Sequence, residues 1–74
     1  MSATRLPAKR LCRGDVIYVE IGNAGEEFVF TVNHVRDIGN NGVILVLSRR
    51  LTYYGETIHT ELNVSADDVF TVFE

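Results

Sequence analysis

Alternation at a period of two residues runs through most of this chain, and short clusters of Gly, Asn, Asp and Ser interrupt it. Nothing else in the sequence limits the fold as tightly. In residues 16–21, Ile17, Val19 and Ile21 fall on one face and Val16, Tyr18 and Glu20 on the other, because successive strand side chains point to opposite sides. Residues 26–35 place Phe28, Phe30 and Val32 together. Residues 43–48 are apolar on both faces, which marks a central strand. Residues 57–64 set Ile58, Thr60, Leu62 and Val64 against Thr57, His59, Glu61 and Asn63, and residues 69–73 form a last short strand.

The interruptions read as turns. Residues 22–25 are a turn by composition. Residues 37–42 carry the strongest hairpin signal, since the Asn41-Gly42 pair accepts the positive φ of a tight connection. Residues 65–68 read as a single helical turn, with the Ser65 side chain expected to accept from a backbone N–H two or three residues on. Arg13-Gly14-Asp15 spells an adhesion tripeptide. It abuts a strand, however, where Gly14 suits a tight turn and Asp15 can hold the turn's N–H groups, so the structural reading is preferred.

Five strands, short connections and one helical turn before the fifth resemble the SH3-like small β-barrel. The resemblance covers residues 12–74 and lies in strand count and turn placement. It implies an all-β domain whose sheet closes to pair its edges, since so small a sheet has little apolar area with which to tolerate open ones. Val19, Val46 and Val72 would then meet. The expected core is Ile17, Val19, Phe28, Phe30, Val32, Val43, Leu45, Leu47, Ile58, Leu62, Val69 and Val72. Residues 1–11 show no convincing periodicity and are read as a flexible basic arm whose end docks near Leu11.

At 74 residues, with 46% hydrophobic and 23% charged residues, the chain has the make-up of one small globular domain rather than a disordered one. Its longest apolar run, residues 43–47, falls short of the roughly 18 residues of a membrane span. No secretory signal is visible and Cys12 has no cysteine to pair with, so a cytoplasmic location is expected. The net charge of −3 is uneven. The first thirteen residues hold Arg5, Lys9, Arg10 and Arg13 and no acid, and the remainder is acidic.

The residues offer little for catalysis. Cys12, His34 and His59 stand at no metal-ligand spacing; the adjacent acids Glu26-Glu27 diverge as strand neighbours, and Asp67-Asp68 sit near the positive end of the helical turn. A non-enzymatic protein without metal or cofactor is expected. Cys12 reads as a small buried apolar residue. The candidate binding residues are Tyr18, Arg36, Arg49, Arg50, Tyr53 and Tyr54, because tyrosine brings rigid contact area and arginine brings directional hydrogen bonds. A protein partner is the first expectation. The alternative is a nucleic acid, with bases stacked on Tyr53 and Tyr54 and phosphates met by the basic arm, Arg49 and Arg50. A homodimer is also expected, since a lone small barrel gains stability from a copy of itself. In style the chain resembles the short accessory proteins encoded by phages and actinobacteria.

Overall fold

The computed structural model describes residues 3–21, 26–51 and 55–73. Six strands form one antiparallel sheet: β1 (Ala3–Pro7), β2 (Val16–Ile21), β3 (Glu26–Gly39), β4 (Gly42–Leu51), β5 (Glu56–Ser65) and β6 (Val69–Phe73). Their spatial order is β1-β6-β2-β3-β4-β5. Strands β2 to β5 therefore run as a meander, and β6 returns to lie beside β2.

Cross-strand partners share a face, so the register identifies the core. Ile17 lies opposite Phe30 and Val19 opposite Phe28. Val32 faces Leu47, and Leu45 faces Leu62. These rows form the inner face. Ile17, Val32, Leu45 and Leu47 are fully buried there, each contributing about 1.5–3 kcal/mol of apolar burial. The outer row carries Tyr18, His34, Arg36, Val46, Ser48, Arg50, His59 and Glu61.

A bulge sets part of this pattern. Val32 pairs with Leu47 but His34 pairs with Val46, so Asn33 is an extra residue in β3. Strict alternation from Val32 would send His34 inward. The bulge turns His34 and Arg36 outward and brings Val35 against the core. Asn33 keeps a partner for its side chain, because Ser48 Oγ donates to Asn33 Oδ1 at 3.3 Å.

The expected barrel closure is not found. The ladder ends at β1 on one side and β5 on the other. The reason is that β6, the strand that would have met β5, is occupied on both edges, by β1 along five residue pairs and by β2 along two. Residues 1–11 are accordingly not a loose arm over the part described. Ala3–Pro7 is a strand and Ala8–Arg10 a 3-10 turn. Ala8 and Leu11 are buried, and Leu6 packs on the core. Ala8 N–H donates to the Asp68 carbonyl at 2.7 Å, and Lys9 N–H to Ala66 at 3.1 Å. Apolar burial and backbone pairing together hold a segment whose lack of periodicity suggested that it was free.

The core departs from expectation at three further positions. Ile58 and Val69 are exposed, at 42% and 50%. Val69 lies three residues from the buried Val72 and so on the opposite face of the strand. Val46 falls on the outer row opposite His34 and does not join Val19 and Val72.

The turns also differ in detail. The β3–β4 hairpin has positive φ at Asn40 (52°) and Asn41 (61°), with Gly39 paired to Gly42, so the two loop residues lie one position earlier than expected. Gly42 is small for want of space: a Cβ there would sit 3.0 Å from Ile38 Cγ1. Residues 65–68 make a hydrogen-bonded turn, not a helical one. Asp68 N–H reaches the Ser65 carbonyl, and Asp68 Oδ2 accepts from Ser65 N–H at 2.9 Å. The acceptor side chain belongs to Asp68, while Ser65 Oγ accepts from Asn41 Nδ2.

Candidate binding surface

Arg13-Gly14-Asp15 is part of a turn tied to the sheet. Gly14 has φ +95°. Its N–H donates to the Val32 carbonyl, and Val32 N–H returns a bond to Asp15. The Asp15 carboxylate accepts from Cys12 N–H at 2.8 Å. A carboxylate engaged this way orders the entry to β2. Cys12 beside it is exposed rather than buried, and its Sγ lies 3.7 Å from the Arg10 carbonyl.

The candidate binding residues do not form one surface. Arg49 and Arg50 are consecutive on β4 and face opposite ways. Arg49 pairs with Ile58 on the inner row, and Arg50 with Thr57 on the outer row. Arg36 is outside, where Arg36 Nη2 donates to Glu61 Oε1 at 3.0 Å. Both side chains are more than half exposed, so this pair contributes about 0–1 kcal/mol. Tyr18 is also outside and meets Phe73 edge to face, with ring centroids 4.4 Å apart. Tyr53 and Tyr54 lie outside the described residues.

Arg49 makes the most developed arrangement. Its guanidinium carbon stands 4.6 Å from the centroid of the Phe28 ring, within the range of cation–π attraction. Phe28, Phe30, Arg49, Ile58 and Thr60 line an apolar cleft of about 220 Å³. Phe28 had been assigned to the core. It is half-buried, and its remaining face supports the arginine.

The opposite end of the sheet is polar. Asp67 accepts from Asn41 Nδ2 at 3.0 Å and from Lys9 Nζ at 3.3 Å. These bonds, and after them the Lys9 charge, hold the Asp67 carboxyl below the ordinary carboxylate pKa. Lys9 thus faces its own body. Among the described residues, no group of three His, Cys, Asp or Glu side chains could hold a metal ion. No helix among them is long and apolar enough to cross a membrane.

No protein-family model matches the chain, and neither does any curated protein or solved structure. The geometry of the cleft and the edges of the sheet therefore carry the functional argument.

Proposed function

We propose that the chain is a non-enzymatic protein-binding module of SH3-like type, with the Phe28–Arg49 cleft as its recognition site. The fold half of this reading rests on the β2–β5 meander and the return of β6 beside β2. The functional half rests on one observation, a cleft of about 220 Å³ walled by Phe28, Phe30 and Ile58 and covered on one side by Arg49. A cleft of this kind suits an apolar side chain of a partner, and Arg49 can add a directional bond to a carboxylate or carbonyl beside it. Nucleic acid is the weaker reading. Of the cations offered for phosphate contact, Lys9 already pairs with Asp67, and the body beyond residue 13 is acidic.

The test is a tagged capture from the native host, with and without nuclease, using the wild type and Arg49→Ala. The proposal expects a nuclease-resistant partner that Arg49→Ala loses while its far-UV spectrum is unchanged. Capture abolished by nuclease, or capture indifferent to Arg49→Ala, overturns it.

A further inference from the structure

The outer edge of β5 is long, regular and unpaired among the described residues. Its backbone polarity follows from one bond. Ala66 N–H donates to the Asn41 carbonyl on the β4 side at 2.8 Å. In an antiparallel ladder, alternate residues bond to the neighbour and the others point away. The β4–β5 register runs from Ser65 to Glu56 without a break. Ile58, Thr60, Leu62 and Val64 therefore bond to β4, while Thr57, His59, Glu61 and Asn63 present N–H and C=O to the free edge. Ser65 agrees, since its N–H turns away from β4 to reach Asp68.

The devices that keep an edge strand from pairing include charged side chains, lysine above all, proline, a bulge or a short length, and of these β5 carries only the carboxylates of Glu56 and Glu61. The ten residues of β5 contain neither lysine nor proline, and its pairing shows no bulge. Its sequence is instead complementary to itself when reversed. An antiparallel copy must align edge-facing residues with edge-facing residues, so only two-fold axes that pass through a residue are allowed. About Glu61, the glutamates would face one another. About His59, the imidazoles would face one another. About Thr60, His59 lies opposite Glu61 of the copy, Ile58 opposite its Leu62, and Thr57 opposite its Asn63. Of these three, that register sets unlike groups against each other on the outer face and Ile58 against Leu62 on the inner face, with Glu56 opposite Val64 only at the exposed end of the strand.

We propose that the protein associates as a two-fold dimer through β5, centred on Thr60, to form a sheet continuous across both copies. His59 and Glu61 of the two chains exchange backbone hydrogen bonds, as do Thr57 and Asn63. Ile58, which stands 42% exposed in the single chain, gains an apolar partner. The contact is isologous, so it closes on itself and does not propagate into a filament.

Sedimentation equilibrium from micromolar to millimolar concentration, with residue-resolved amide exchange at both extremes, tests this. The expected result is a monomer–dimer equilibrium in which the His59 and Glu61 amides slow on concentration. His59→Glu, which sets two glutamates opposite each other at both symmetric positions, should weaken the dimer roughly tenfold. The exchange variant His59→Glu/Glu61→His should recover it, with far-UV spectra showing that each variant is folded. A monomer throughout, a dimer whose His59 and Glu61 amides stay fast, or a dimer that His59→Glu leaves unchanged overturns the proposal.

Discussion

The two edges of this sheet are built on different terms. At one edge β1 is five residues long and ends in proline. The Ala8–Asp68 bond and the register that leads into it turn Pro7 toward the free side, where a missing N–H removes a donor from the edge. The chain then drops into a 3-10 turn whose ends are anchored by the buried Ala8 and Leu11. At the other edge β5 is ten residues long, carries a complete set of outward backbone groups and displays Ile58. A single chain has protected one side of its sheet and left the other able to pair. The difference is the ground for placing the proposed association at β5, and it assigns the basic segment a structural task.

The largest expected effect tests the protected edge. Leu11 is 5% exposed, so Leu11→Ala should cost about 2–5 kcal/mol in urea unfolding through lost burial and an unfilled cavity. A loss under about 0.5 kcal/mol, the usual size for a surface position, would restore the loose-arm reading. The open edge comes next, by way of two neighbouring prolines. Thr60→Pro removes an N–H that bonds to β4 and should cost roughly 1–3 kcal/mol from the orphaned carbonyl alone. Glu61→Pro removes an edge-facing N–H and should cost the dilute monomer less. Thermal unfolding at low concentration compares the two, and the reverse ranking would mean that the polarity assigned to β5 is inverted.

These contrasts mark where the sequence could be read and where it could not. The five strands 16–21, 26–35, 43–48, 57–64 and 69–73 were legible because local pattern encodes them, alternation in most and an unbroken apolar run in 43–48, and each lies within or coincides with an observed strand. The bulge at Asn33 was not legible. An inserted residue reverses the facing of everything beyond it and leaves no mark in composition, so the outward course of His34 and Arg36 had to come from the register. Strand β1 was missed because its one large apolar residue beside Pro7 is Leu6, too little alternation to stand out beside Arg5 and Lys9. What holds β1 is the free edge of β6, and that is a non-local fact. Of the candidate surface, Arg49 stood out in the sequence as a candidate, but its separation from Arg50 onto the other face follows only from a strand continuing to Leu51.

A smaller effect is expected at the hairpin that joins β3 to β4. Asn40 and Asn41 both hold positive φ, which costs a β-branched residue about 1–2 kcal/mol and asparagine less. Asn40→Val should therefore lower the unfolding midpoint, and Asn40→Gly should leave it level or raise it slightly. If valine proved as stable as glycine, the assigned turn geometry would be wrong.

The smallest effect concerns Asp67, which joins the 3-10 turn to the hairpin through Lys9 and Asn41. Its carboxyl is held below the ordinary value first by the Asn41 hydrogen bond and then by Lys9. A folded-state pKa below the unfolded one means that the unfolded chain takes up its proton first as the pH drops. The stabilisation is therefore complete above the ordinary carboxylate range and fades as pH falls through it and then through the lowered value. Because Asp67 and Lys9 are both well exposed, solvent and salt screen much of this, and the change should be small. Asp67→Asn should reduce stability slightly at neutral pH and flatten the acid limb of the stability profile, with a weaker dependence on added salt. An acid limb as steep in Asp67→Asn as in the wild type would show that Lys9 and Asn41 hold this corner without any contribution from the carboxylate charge, and that the protected edge depends on Leu6, Ala8, Leu11 and the backbone bonds alone.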